Sequence, residues 1–123
     1  MIRTGIDLVD VDRLQASVDR FGDRFLLRVF TPAELRICNG RPSSLAARFA
    51  AKEAVAKALG TGLWRCGIQW TDIEILNDPV SREPHLYLHR AAAERSRDMG
   101  VVEWSISLTH TGNSAVAFTV GIG

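Results

Sequence analysis

The sequence predicts an α+β protein in which an antiparallel sheet packs against a long central helix, with shorter helices around it. Three observations carry this. Residues 48–62, RFAAKEAVAKALGTG, read as one alanine-rich helix that runs into a Gly-Thr-Gly turn. Trp104, Ile106 and Leu108 alternate with Ser105, Ser107 and Thr109, and a Thr111-Gly112-Asn113-Ser114 turn leads into a second apolar run, residues 115–120. That is the pattern of a β-hairpin, with His110 at its tip. Residues 2–9 read as a further short strand. The 123 residues suit one domain, spanning 1–123, and 46% apolar with 24% charged residues is ordinary for a globular protein. A formal charge of +1 leaves no global field to recruit nucleic acid or membrane, so any electrostatic recognition has to be local. There is no signal peptide, membrane-spanning run, repeat or linker pattern, which makes the cytoplasm the expected location. Cys38 and Cys66 lack ligand-type spacing and suit free thiols better than a metal pair or a disulfide.

In the first strand, alternation sets Ile6 and Leu8 on one face and Asp7 on the other. Read plainly, Asp7 is a solvated residue on a half-exposed strand. Asp10 is the expected N-cap of a helix whose apolar stripe is Val11, Leu14, Val18 and Phe21. Gly22 breaks that helix, and Asp23 is expected to cap a short second one. Arg20, Arg24 and Arg28 are spaced four apart and Arg13 extends them, which describes either a solvated face or a docking strip for an acidic partner. Thr31-Pro32-Ala33-Glu34 is a capping box with proline at the first helical position, and the helix it opens ends by Asn39-Gly40.

The central helix is expected to take Ser43 or Ser44 as N-cap and to stop at Gly60. Its charges form two strips, Arg48 with Lys52 and Glu53 with Lys57, and Leu45 and Phe49 lie between them. Such a helix is packed on more than one side, so some charges need partners other than bulk water. Glu53 and Lys57 by themselves read as an i, i+4 surface pair worth a few tenths of a kcal/mol. The loop 61–67, with glycines at both ends of Leu63-Trp64-Arg65-Cys66, could offer backbone N–H groups to an anion or merely end the helix. A strand at 73–76, a turn from Asn77-Asp78-Pro79 to Arg82-Glu83-Pro84, a strand holding Leu86 and Leu88, and a helix at 90–99 stopped by Gly100 complete the chain.

Together, GIDLV at 5–9, RFAAKEAVAKALGTG at 48–62 and SLTHTGNSAVAF at 107–118 resemble the holo-[acyl-carrier-protein] synthases, the small 4′-phosphopantetheinyl transferases. FTPAEL at 30–35 and the Arg82-Glu83-Pro84 turn also fit, so the likeness spans nearly the whole chain. It implies the 4′-phosphopantetheinyl transferase fold and the transfer of 4′-phosphopantetheine from coenzyme A to a serine of apo acyl carrier protein. It further implies Asp7 and Glu53 as the Mg²⁺ ligands and, with Lys57, the catalytic set. Coenzyme A contacts are implied at Arg48, Lys57, Gly60, Thr61, Gly62, Pro84, His110 and Thr111. Carrier-protein docking is implied at Arg13, Arg24 and Arg28, and a homotrimer with active sites between protomers completes the expectation. The connector from Arg36 to Ser44 is shorter than in some members, and Arg41 is the residue that could stand in for the 3′-phosphate contact made there.

The chemistry suits these residue types. Mg²⁺ typically takes one or two carboxylates together with phosphate oxygens and waters, and a cation stabilises charge developing on a leaving phosphate. Lys57 adds a compact positive charge. The acceptor serine needs a base, and Glu53 or a metal-bound water near it is the candidate. Two rivals are a catalytically silent carrier-protein-binding module and a coenzyme A-binding regulator without turnover; the joint presence of Asp7, Glu53 and Lys57 argues against the first. Whether the acceptor serves fatty-acid or secondary-metabolite synthesis is left open by the sequence.

Overall fold

The structure is a computed structural model, described over residues 1–63 and 65–123; Trp64, within the loop noted above, lies outside the described residues. Strand β1 (Ile2–Asp10) leads into helices α1 (Val11–Phe21), α2 (Asp23–Val29) and α3 (Pro32–Cys38), then the 17-residue central helix α4 (Pro42–Ala58). Strands β2 (Ile73–Asn77) and β3 (Pro84–Leu88), helix α5 (Arg90–Met99) and strands β4 (Glu103–Thr111) and β5 (Ser114–Ile122) follow. The strands form two antiparallel sheets, β1-β5-β4 and the hairpin β2-β3, where the sequence suggested a single antiparallel sheet.

The caps explain the helix boundaries. Asp10 accepts from the Arg13 N–H as expected, and Thr31 with Glu34 closes the capping box of α3. Asp23 is the first helical residue of α2 and not its cap; Gly22, at φ +58°, makes the break. Helix α4 likewise begins before the two serines. Pro42 has its φ preset for the first helical position, so the cap is Arg41, and Ser44 Oγ instead accepts from Arg41 Nε at 3.3 Å.

Helix α4 crosses one face of the three-stranded sheet, against β1 and β5. The strands make room for it. A Cβ on Gly5 would stand 1.8 Å from the Ala54 carbonyl oxygen, so only glycine permits this approach. On β5 the residues facing the helix are Ala115, Ala117, Thr119 and Gly121, all buried. The alternation is therefore inverted from the plain reading. Ile2, Ile6 and Leu8 point away from the helix at 72%, 58% and 64% exposure, whereas Asp7 faces it. The outward row continues across β5, where Phe118 pairs with Ile6 and Ile122 with Ile2.

Two charges on α4 are buried and partnered. Lys52 Nζ lies 2.8 Å from Glu34 Oε1, both side chains fully buried, and also donates to the carbonyls of Trp70 and Ile73. All three ammonium donors are thus satisfied. Glu34 in turn accepts from the N–H groups of Thr31 and Ile75, so one carboxylate ties α3, α4 and β2 together. Arg48 donates from Nε to the Ile75 carbonyl and from Nη2 to Asn77 Oδ1.

Candidate active site

A cavity of about 420 Å³ opens between β1, α1, α2 and α4, lined by Asp7, Val9, Asp10, Arg13, Leu14, Phe25, Phe49 and Glu53 among others. Its floor divides into two kinds of surface. Leu14, Phe25 and Phe49 form an apolar wall, in which Phe49 stacks on Trp70 at 4.6 Å between ring centroids. At the other end stand the carboxylates of Asp7 and Glu53, brought together because α4 packs on the odd-numbered face of β1.

Lys57 does not pair with Glu53, as the helical spacing suggested. Its Nζ donates to Asp7 Oδ1 at 2.9 Å and to the Ile6 carbonyl at 3.0 Å, so the i, i+4 position serves a strand instead of its own helix. Burial, and next the neighbouring Asp7 charge, raise the Glu53 pKa above the ordinary glutamate value, against a smaller pull from Lys57. Glu53 is therefore more basic than a surface glutamate. Two carboxylates with a shared field are the oxygen donors that a hard divalent cation accepts. Among the described residues no cluster of three or more His, Cys, Asp or Glu offers a site.

The remaining expected residues occupy other edges. Arg13 lines the cavity, and Arg24 and Arg28 are exposed on α2, the helix that contributes Phe25. Because Gly22 separates α1 from α2, the arginines form two short steps and not one continuous ridge. His110 and Thr111 are exposed at the end of β4, beside the start of α1. Asn113 fastens that corner by donating to Asp10 Oδ1 at 2.6 Å and accepting from the Asp12 N–H at 2.9 Å. Gly60, Thr61 and Gly62 lie at the opposite end of the sheet, where Arg3 Nε donates to the Ala58 carbonyl. The N–H groups of that turn are consumed by the helix, Gly60 bonding Lys57 O and both Thr61 and Gly62 bonding Ala56 O. They are not offered to an anion.

Arg48 is 4% exposed, its guanidinium holding β2 to α4 beside Asn77, the strand partner of Pro84. Sequence reading did not find the second cavity at that corner, about 320 Å³, lined by Ile37, Arg41, Asn77, Asp78, Pro79 and Arg82. The signal available was Arg41 in the short connector; Arg82 arrives there only through the β2–β3 turn.

Comparison with known proteins agrees with this geometry. The model of the 4′-phosphopantetheinyl transferase superfamily matches residues 3–119. A holo-[acyl-carrier-protein] synthase of Herpetosiphon aurantiacus is 48% identical, with all of both chains covered. One from Moorella thermoacetica is 50% identical over 89% of this chain and 85% of its own. Among solved structures, the Helicobacter pylori holo-[acyl-carrier-protein] synthase in complex with coenzyme A superposes at a TM-score of 0.87, with 34% identity, 99% of this chain and 100% of that one covered. The Neisseria meningitidis enzyme gives 0.88 at 33% identity, with both chains fully covered. The chain is a member of the 4′-phosphopantetheinyl transferase superfamily.

Proposed function

We infer that the protein is a holo-[acyl-carrier-protein] synthase, transferring 4′-phosphopantetheine from coenzyme A to a serine of apo acyl carrier protein. The observation that carries this is the meeting of Asp7, Glu53 and Lys57 at one end of a cavity whose rim bears Arg13. The serine Oγ attacks the phosphorus that bears pantetheine, the bond from that phosphorus to the bridging oxygen breaks, and adenosine 3′,5′-bisphosphate leaves with the electron pair. Glu53, more basic than usual, takes the serine proton. Lys57 supplies positive charge beside the departing phosphate while its bond to Asp7 orients that carboxylate. Asp7 and Glu53 have the donor chemistry for Mg²⁺, which when bound neutralises charge on the pyrophosphate. Leu14, Phe25 and Phe49 give the cavity an apolar wall opposite the carboxylates.

The acceptor docks on Arg13, Arg24 and Arg28, whose charge suits an acidic carrier protein. Arg41 and Arg82, at the second cavity, suit the 3′-phosphate of coenzyme A. The working form is an oligomer, and a trimer is the state that the family resemblance implies. Two observations support this. The outward row of Ile2, Ile6, Leu8, Phe118 and Ile122, interrupted on β1 by Thr4, is an exposed apolar surface of the kind that another subunit covers. The proposed coenzyme A contacts also sit at opposite ends of β1. Arg3, beside the Gly60 turn, and Val9, level with His110, are about 20 Å apart along the strand. A second copy against the apolar face can bring the hairpin tip of one chain beside the Gly60 turn of the next. A cytoplasmic site of action belongs to the same reading; among the described residues no helix is long and apolar enough to cross a membrane.

The test is direct. The purified protein is mixed with apo acyl carrier protein, coenzyme A and MgCl₂, and the carrier is weighed by mass spectrometry. A gain of one phosphopantetheine group on the acceptor serine is expected. Binding of coenzyme A with no mass change would make the protein a regulator and not a transferase.

A further inference from the structure

The N–H groups that open α1 have no acceptor within the helix, and two of the first three are taken by a residue from the other end of the chain. Val11 donates to the Asn113 carbonyl at 2.8 Å and Asp12 to Asn113 Oδ1 at 2.9 Å, while Arg13 donates to Asp10 Oδ1 at 3.2 Å. Asn113 Nδ2 in turn donates to that same Asp10 oxygen at 2.6 Å. The Arg13 N–H first, and Asn113 next, hold the Asp10 carboxyl below the ordinary aspartate range. Asn113 thus spends its carbonyl and both ends of its side-chain amide on the start of α1. Its own turn does not need that side chain. Thr111 pairs with Ser114, so Gly112-Asn113 is a two-residue hairpin loop, and Gly112 supplies a positive φ of +54°. The segment held in this way is the one that borders the cavity, since Asp10, Arg13, Leu14 and Ser17 all belong to it. The β1–β5 pairing runs as far as Asp10 and Ser114. The sheet therefore places Asp7, whereas the direction in which α1 leaves the sheet is set at the Asn113 corner.

We propose that Asn113 is a positioning residue for the acceptor: by fixing where α1 leaves β1, it sets Arg13 in place for the carrier protein at the cavity that holds Asp7 and Glu53. This rests on the reading of Arg13 as a docking residue. The side-chain bonds of Asn113 lie at the surface, where water can replace them, and Leu14, 5% exposed, still packs α1 on the core. Asn113→Ala should therefore fold, and in the transfer assay it should raise KM for carrier protein about fivefold or more while KM for coenzyme A is unchanged. Asn113→Asp sets one carboxylate against another and should raise the carrier KM at least as far. Adding Asp10→Asn to it moves the amide to position 10 and the carboxylate to position 113. Donor and acceptor then face each other in reverse, the Asp12 N–H keeps an oxygen, and the net charge is that of wild type. This swap should return the carrier KM to the wild-type value. A residue that only stabilised the hairpin would lower the melting temperature and leave the carrier KM of the folded protein unmoved. A wild-type carrier KM in folded Asn113→Ala overturns the proposal, and so does a folded swap whose KM stays at the Asn113→Asp value. Where Asn113→Ala does not fold, the comparison of Asn113→Asp with the swap decides. Arg13→Glu with a wild-type carrier KM would refute the docking reading itself, a result distinguishable from failure of the Asn113 variants.

Discussion

Glu53 places opposite demands on stability and on activity. Folded Glu53 keeps its proton to a higher pH than an ordinary glutamate, for burial and the Asp7 charge both disfavour its anion. Between the unfolded and the folded pKa the native state binds more protons, so this residue's contribution to stability falls as pH rises through that window. Glu53→Gln should therefore melt at or above the wild-type temperature at neutral pH, and the two melting curves should converge in acid. The same substitution should abolish transfer. Asp7→Ala and Glu53→Ala should each reduce turnover by orders of magnitude with the fold kept, and the double variant should be little worse than either, because the two act as a unit. Transfer rate against Mg²⁺ concentration measures this. Near-wild-type turnover with unchanged metal dependence would put the site elsewhere.

At the scale of elements, α4 is held in register from both sides. The Lys52–Glu34 pair links it to α3 and β2, and Arg48 adds a second tie to β2. A buried pair of this kind adds little net stability when intact, but removal of one partner leaves a charge stranded. Glu34→Ala should accordingly cost about 3–5 kcal/mol in urea unfolding, far more than a surface pair. A cost below 1 kcal/mol would mean that Lys52 finds another acceptor. Helices α1 and α2 carry a different load. Arg13 lines the cavity and Arg24 is exposed on α2, so Arg13→Glu and Arg24→Glu should raise KM for carrier protein and leave coenzyme A binding in place. The effect should shrink as salt is added, because screening removes the steering that these charges provide. Equal affinity of variant and wild type for apo carrier protein at low salt would exclude the docking role.

For the whole molecule, the outward apolar row is the deciding feature. Ile6 and Phe118 are strand partners, 58% and 42% exposed, on the sheet face that α4 leaves bare. Phe118→Glu or Ile6→Arg should dissociate the oligomer in sedimentation, since a desolvated charge at an apolar interface has no partner. Activity should fall with assembly, although neither residue touches the cavity. A monomeric variant that transfers at the wild-type rate would show that one chain holds a complete site.

Much of this was legible in the sequence because it depends on local chemistry. The Asp10 cap, the Thr31–Glu34 capping box, the glycine stops and the two-residue alternation of β4 all act over a few residues, and all stand where the sequence put them. The motifs around Asp7, Glu53 and His110 likewise pointed to the superfamily. Which face of a strand is inside is a different kind of question. Ile6 and Leu8 look like core and Asp7 like surface until Gly5 admits the Ala54 carbonyl, and that single approach turns the strand over. Lys57 follows from the same contact: once β1 lies against α4, Asp7 is nearer to it than a helical neighbour needs to be. Periodicity sets two faces of a strand apart; only packing against a second element, and here the small side chains of β5 that accept it, decides which of them meets the core.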